Sequence, residues 1–180
     1  VTDYGDITDQ PFNQTTYEAC KEYAEANEVP FNYYKPSGDS DAERIAMIDA
    51  AVADGYNIIV LPGFAFGPTI VASAEAYPVV KFIALDVGAG DLGEGYEVPE
   101  NVYCAVYQEE LAGFMAGYAA VKMGYKHLGF MGGMAVPAVI RYGYGFVQGA
   151  EDAAKELGVA EIAMNYHYTG GFDATPEAQA

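Results

Sequence analysis

The sequence is short of positive charge. Its 180 residues contain eight lysine and arginine residues against 26 aspartate and glutamate residues, which gives a formal net charge of −18 at pH 7. Binding to a nucleic-acid backbone requires clustered basic side chains, and attraction to anionic lipid requires them too. We therefore expect no nucleic-acid partner and no direct binding of these residues to a membrane surface.

Cysteine and histidine are also scarce, with two residues of each. Cys20 and Cys104 are far apart and form no Cys-x-x-Cys or Cys/His cluster, so a zinc site is not expected. We interpret them as free, buried thiols. The spacing of Asp3, Asp6 and Asp9 resembles a calcium loop, but it lacks the alternate ligands, the glycine and the closing glutamate of an EF-hand. We expect no metal ion.

Long apolar runs and catalytic motifs are missing as well. No run of about 18 apolar residues is present, so no transmembrane helix is predicted. There is no Gly-x-Ser-x-Gly motif, and neither His127 nor His167 has a serine or cysteine partner nearby in the sequence. The glycines of 88–93 match a dinucleotide-binding motif by letter, but no helix is predicted to begin there. We expect the protein not to be an enzyme and to bind no cofactor.

Short apolar runs alternate with helical patterns along the whole chain. The predicted strands are 31–35, 57–62, 81–86, 102–107, 127–131 and 161–168. The predicted helices are 10–27, 41–54, 67–76, 109–123 and 137–157. Several strands are apolar on both faces, which is typical of parallel sheets covered by helices. The fold class is therefore α/β, with right-handed crossovers.

Local signals mark the ends of helices and the division of the chain. Asp9 is a predicted N-cap of the first helix, and Ser40 and Glu43 form a predicted capping box before the second. The segment 87–101 is a long, glycine-rich loop, and loops of this length are often functional or mark a boundary. We place a boundary near Gln108, which gives domains 1–107 and 108–180.

The segment 3–14 is a candidate binding segment. It runs from the end of a predicted first strand into a helix, the place where ligands bind in open α/β sheets. Asp3, Asp9 and Asn13 offer polar groups that bond to hydroxyls, and the face of Phe12 offers stacking on a flat ring. The alternative interpretation is an ordinary loop with a helix cap.

Two further candidates follow predicted strands. Asp86 ends the strand 81–86, so its carboxylate is a second candidate acceptor at the same sheet edge. Gly63 follows the strand 57–62, and a glycine there permits close approach of a ligand to the backbone. Loop capping is the alternative role for Asp86.

Three stretches resemble the basic membrane protein family of bacterial substrate-binding lipoproteins, which includes purine-nucleoside receptors of ABC transporters. They are Asp3-x-Gly5-x-Ile7-x-Asp9-x-x-Phe12-Asn13-Gln14, Tyr107-Gln108-Glu109-Glu110-x-Ala112-Gly113-x-x-Ala116-Gly117 with Leu128-Gly129-Phe130-Met131-Gly132-Gly133 and Pro137, and 142–149 leading to Tyr168-Thr169-Gly170-Gly171-Phe172-Asp173. Their order and spacing extend over essentially the whole chain. Pro11 stands where the family usually has serine.

The resemblance implies a type I periplasmic-binding-protein fold, in which two doubly wound parallel-sheet lobes close on a ligand in their cleft. Carried over by position, Phe12 stacks on the base of a nucleoside. Asp3 and Asp86 accept hydrogen bonds from the ligand, with Asn13 beside them. Phe172 is a second stacking residue, from the other lobe. Relative to the family pattern, we expect the first strand and the end of lobe two to lie outside these residues.

The resemblance also implies a function. It indicates an extracytoplasmic solute-binding lipoprotein of a bacterial ABC importer, with a permease as its partner and a nucleoside, preferably a purine one, as its ligand. Membrane attachment would come only through a lipid anchor outside this chain. The alternatives are a receptor for a sugar or another small heterocycle, a signalling receptor domain, or a nucleoside-processing enzyme.

Overall fold

The computed structural model describes residues 1–8, 12–172 and 175–179. They form two compact units, an N-terminal unit (Val1–Val106) and a C-terminal unit (Tyr107–Ala180). Both units combine helices with a parallel sheet, so the predicted α/β class is confirmed. The assignment of each unit to a lobe stays a prediction.

The N-terminal unit contains a three-stranded parallel sheet and three α-helices. Its elements are α1 (Asn13–Ala26), α2 (Asp41–Ala53), β1 (Ile58–Pro62), α3 (Gly67–Ala76), β2 (Lys81–Leu85) and β3 (Val102–Ala105), with short 3-10 helices at Phe64–Phe66 and Ala89–Asp91. The strand order is β1-β2-β3, so β2 is central. Ile58 pairs with Lys81, and Phe82 pairs with Val102.

The core of this unit follows from the apolar runs of the sequence. Alternate residues of the strands are buried, including Leu61 of β1 and Phe82 of β2. Helix α2 contributes Ile48 from its buried face. The helix begins where the capping box predicts, because the Ser40 hydroxyl oxygen accepts a hydrogen bond from the Glu43 N–H at 3.3 Å.

Two predictions for the N-terminal unit were wrong. The segment 31–35 is not a strand. The Thr2 N–H group donates a hydrogen bond to the Tyr34 oxygen. A single backbone hydrogen bond does not make the consecutive pairing that a β-ladder requires. Helix α1 begins at Asn13, with Phe12 in the N-cap position, and not at residue 10. Asp9 lies outside the described residues, so its predicted capping role is not described.

The C-terminal unit contains a two-stranded parallel sheet and a close pair of helices. Its elements are α4 (Glu109–Lys122), β4 (His127–Gly132), α5 (Pro137–Leu157), β5 (Ala163–Tyr168) and the short helix α6 (Pro176–Gln179), which was not predicted. The register of the sheet runs from His127 paired with Ala163 to Gly132 paired with Tyr168.

Helices α4 and α5 approach each other backbone to backbone. At Gly117 an added Cβ atom would collide with the carbonyl group of Phe146 across the interface. The same holds, with other carbonyl groups of the facing helix, at three more glycines: Gly113, Gly145 and Gly149. The helices pack this closely because glycine presents no side chain at these four points.

The remaining observations concern the two cysteines and the length of the apolar helices. Cys20 and Cys104 are unpaired. They are only partly buried, whereas the sequence analysis predicted buried thiols. Burial raises the pKa of both thiols, so neither is an activated nucleophile at neutral pH. Within residues 1–8, 12–172 and 175–179, no helix is long and apolar enough to span a bilayer.

Candidate functional site

The Asp3 carboxylate is fixed at the start of the N-terminal unit. Its Oδ1 atom accepts hydrogen bonds from the N–H groups of Tyr4 and Gly5, at 2.6 and 2.7 Å, and from the side-chain amide of Asn13, at 2.8 Å. Asn13 is the first residue of α1 and is buried. The two predicted site residues Asp3 and Asn13 are therefore in direct contact, and one carboxylate oxygen is used to hold the segment in place.

Gly63 connects this carboxylate to the edge of the sheet. It follows β1 with a φ of +118°, a conformation that glycine adopts without strain. Its N–H group donates to the Leu85 oxygen at 2.8 Å, which joins the ends of β1 and β2. A Cβ atom built on Gly63 would lie 3.4 Å from Oδ2 of Asp3, so this second carboxylate oxygen faces the glycine.

Asp86 follows β2 at the same carboxyl edge. Its N–H group donates to the Ala105 oxygen at 2.8 Å and so continues the pairing of β2 with β3. Its φ is +59°, in the left-handed region. This conformation costs about 1 kcal/mol in a residue other than glycine, and such residues concentrate at functional sites. The loop that follows is held by Asp91, whose carboxylate accepts from the Gly88 N–H at 2.8 Å.

The two candidate aromatic residues lie in different units. Phe12 immediately precedes α1 and is exposed, next to the buried Asn13. Phe172 follows β5 in the C-terminal unit and is 49% exposed. Its ring lies against Gly133, at the carboxyl end of β4. Gly133 belongs to one of the sequence motifs, but we predicted no binding role for it. Its contact with Phe172 joins positions that are far apart in the chain, so the sequence alone does not reveal it.

A separate cavity of about 840 Å³ lies beside β1 in the N-terminal unit. Its walls are mainly apolar and come from α1, the segment 29–34 and β1. Among the predicted site residues that the structure describes, Asn13 lines it. The polar edge with Asp3, Gly63 and Asp86 is therefore a distinct feature, and it has the carboxylate chemistry expected of a site for a hydroxylated ligand.

Comparison with known proteins identifies the family. The profile of the family described as "ABC transporter substrate-binding protein PnrA-like" matches residues 1–179. The chain belongs to this PnrA-like family. The resemblance seen in the sequence is thereby confirmed, and the family consists of substrate-binding proteins, not enzymes.

Curated relatives of this PnrA-like chain are distant but extend over nearly all of it. The ABC transporter nucleoside-binding protein BmpA of Lactococcus lactis is 25% identical over 96% of this chain and 46% of its own length. Basic membrane protein B of Borreliella burgdorferi is 28% identical over 90% of this chain and 47% of its own length. The chain thus spans about half the length of these relatives.

A solved structure gives the same assignment. An ABC transporter solute-binding protein from Aeropyrum pernix superposes with a TM-score of 0.74 at 26% identity, over 96% of this chain and 47% of that protein. A periplasmic sugar-binding protein from Legionella pneumophila, at 19% identity and a TM-score of 0.59, shares the fold. The PnrA-like chain therefore has the fold of periplasmic solute-binding proteins.

Proposed function

We propose that the protein is the extracytoplasmic solute-binding component of an ABC importer and that its solute is a nucleoside, with a purine base preferred. Membership of the PnrA-like family supports the importer role. A distant relative is named a nucleoside-binding protein, which supports the choice of ligand. The observation that carries the proposal is the placement of Asp3, Gly63 and Asp86 at one edge of the N-terminal sheet.

In this proposal the carboxylates bind the ribose. Oδ1 of Asp3 is occupied by bonds within the protein, which leaves Oδ2, on the side of Gly63, as the acceptor for a hydroxyl group. Asp86 supplies a second acceptor on a backbone that is already held by β3. Pairing of each buried hydroxyl is required for tight binding, because an unpaired one costs about 1–3 kcal/mol.

The aromatic side chains bind the base in this proposal. Phe12 and Phe172 are both exposed, and each offers an aromatic face for stacking. Stacking of flat rings contributes affinity beyond the apolar area that it buries. A sugar without a base would gain less from these two residues, and this difference separates a nucleoside receptor from a sugar receptor.

The partners follow from the importer role. We propose that the ligand-bound protein is recognised by an ABC permease, because a ligand that binds one conformation better increases the population of that conformation. We also propose attachment to the membrane through a lipid anchor. The second suggestion is supported by relatives that are named lipoproteins and basic membrane proteins.

The test is titration calorimetry of the purified protein with purine nucleosides, pyrimidine nucleosides, free ribose and free bases. We expect Asp86→Asn to weaken nucleoside affinity at least about tenfold, since it removes the charge from a hydrogen-bond acceptor. The melting temperature should stay unchanged, because asparagine tolerates the left-handed conformation. Glu94→Gln, an exposed neutralisation in the following loop, is the matched control.

Unchanged affinity in Asp86→Asn would contradict the assignment of this residue. Equal affinity for ribose and for nucleosides would favour the sugar-receptor alternative. Release of a free base from a nucleoside would favour the enzyme alternative.

A further inference from the structure

The ring of Phe172 rests on backbone at Gly133. A Cβ atom built on Gly133 would lie 2.6 Å from Cε1 of the ring and 2.8 Å from the Gly171 oxygen. Both distances are too short for real contacts, so an alanine here would have to displace both the ring and a backbone carbonyl group. The φ of Gly133 is not in the left-handed region. The space taken by the ring and by the Gly171 carbonyl group, and not the backbone conformation, therefore accounts for the glycine.

The turn that carries Phe172 is tied to the same strand end. The N–H groups of Thr169 and Gly170 donate to the oxygens of Gly132 and Gly133, at 2.9 and 2.8 Å, and continue the pairing of β4 with β5. The Thr169 hydroxyl donates to the Gly171 oxygen at 2.9 Å. This bond closes the turn immediately before Phe172, so the direction in which the ring leaves the backbone is set by fixed groups.

These contacts support one side of the ring and leave much of it accessible. Phe172 is 49% exposed although it lies against Gly133. A side chain that is already ordered loses less conformational freedom when a ligand binds, and this saving appears as affinity. We propose that Gly133 and Thr169 are positioning residues that hold the Phe172 ring ready to stack on a flat ring of the ligand. The inference rests on the proposed function, which supplies the ligand.

A double-mutant cycle tests whether Gly133 acts through Phe172. We expect Gly133→Ala to weaken affinity for a purine nucleoside about tenfold, within the range of coupling energies for residues in contact. Affinity for free ribose should stay the same. In a Phe172→Ala background, Gly133→Ala should change nucleoside affinity less than about twofold, because the ring that it displaces is gone.

Two neighbouring glycines provide matched controls. A Cβ atom on Gly171 would meet nothing within 4 Å, so Gly171→Ala makes the same chemical change in the same turn without a collision. A Cβ atom on Gly132 would meet side-chain atoms of Val139 and Tyr168 and not Phe172. Both variants should retain nucleoside affinity better than Gly133→Ala, and circular dichroism would verify that each variant is folded.

The hydroxyl of Thr169 is tested by a conservative pair. Thr169→Val keeps the shape of the side chain and removes the donor to Gly171, so we expect about a threefold loss of nucleoside affinity. Thr169→Ser keeps the donor and should restore affinity. Equal losses in the valine and serine variants would overturn the role of the hydroxyl.

A measurement without ligand separates this inference from the proposed function. A ring fixed over Gly133 shifts the NMR signals of the Gly133 α protons, and Phe172→Leu should abolish that shift. If the protein binds nucleosides but the effects of Gly133→Ala and Phe172→Ala on affinity are additive, or the shift is absent, the positioning inference fails alone. If the shift is present but no nucleoside binds, the proposed function fails, and the stacking role fails with it.

Discussion

The two units are stabilised in opposite ways. The N-terminal unit buries large side chains in one cluster, among them Phe66, Phe82, Ile48, Leu61 and Ile70. The buried cluster of the C-terminal unit consists of Val121 and three alanines, and its two long helices meet through glycines. The stability of the N-terminal unit therefore depends on large buried side chains. The stability of the C-terminal unit depends on the absence of side chains where its two helices meet. Substitutions that remove atoms and substitutions that add them should affect the two units differently.

The largest effect is expected from removing volume in the N-terminal unit. Phe82 lies on the central strand β2 and is 1% exposed. Phe82→Ala should lower the free energy of unfolding by about 3–5 kcal/mol, since it removes buried apolar surface and leaves a cavity. Urea unfolding followed by circular dichroism measures the loss. Tyr103→Ala on β3, where the side chain is 66% exposed, is the control. A loss below about 1 kcal/mol for Phe82→Ala would contradict the conclusion that large buried side chains stabilise the N-terminal unit.

The next effect comes from adding one methyl group in the C-terminal unit. Gly117→Ala places a Cβ atom against the Phe146 carbonyl group, where the helix backbones would have to separate. We expect a net loss of about 2 kcal/mol, because overpacking outweighs the better helix propensity of alanine. Thermal unfolding measures it. Ala119→Leu, an exposed position on the same helix, should change stability by less than about 0.5 kcal/mol. Stabilisation by Gly117→Ala would show that α4 and α5 are not closely packed.

The smallest effect concerns charge and not volume. Glu109, whose side chain is 3% exposed, accepts from Arg141 Nε at 2.6 Å and from the Tyr107 N–H at 3.1 Å. Burial alone would raise the pKa of Glu109, but the hydrogen bond and charge of Arg141 outweigh it and lower the pKa below its usual value of 4.5. We expect Glu109→Gln to cost about 1–2 kcal/mol at pH 7, since Arg141 remains partly solvated.

The pH dependence of this pair has a definite sign. Because folding lowers the pKa of Glu109, its contribution to stability is complete above pH 4.5 and is lost as the pH falls through the folded-state pKa. The difference in unfolding free energy between the parent and Glu109→Gln should therefore narrow in acid. The neighbouring Glu110→Gln serves as the control. A difference that does not change with pH would show that the ion pair contributes nothing.

Local patterns predicted most of the fold. The capping box at Ser40 and the apolar runs of β1 and β2 act over a few residues, and the elements formed where these signals stand. The segment 31–35 has the composition of a strand, but strand formation depends on a partner elsewhere in the chain. The start of α1 was misplaced for a similar reason, because the Asn13 side chain bonds to Asp3, ten residues earlier in the chain, and a local helix pattern does not reveal this contact.

The same limit applies to the candidate site. Asp3, Gly63 and Asp86 were predicted because the ends of parallel strands gather at one edge of a sheet, a rule that requires only the strand positions. No such rule brings Gly133 to Phe172. Their contact depends on the turn after β5, which bonds to the end of β4 through Thr169 and Gly170. Both motifs can be recognised in the sequence, but their contact in the folded protein cannot be predicted from it.

The backbone at Asp86 has a consequence for protein engineering. Its left-handed φ of +59° means that glycine would fit this position with less strain. A library screened by melting temperature alone would therefore enrich glycine here and discard the carboxylate that we propose as a ligand contact. If Asp86 binds the ligand as we propose, heat resistance and ligand binding favour different residues at this position. Selection first for ligand binding and then for heat resistance would retain aspartate. A substitution that raises the melting temperature elsewhere in the protein would leave the Asp86 carboxylate in place.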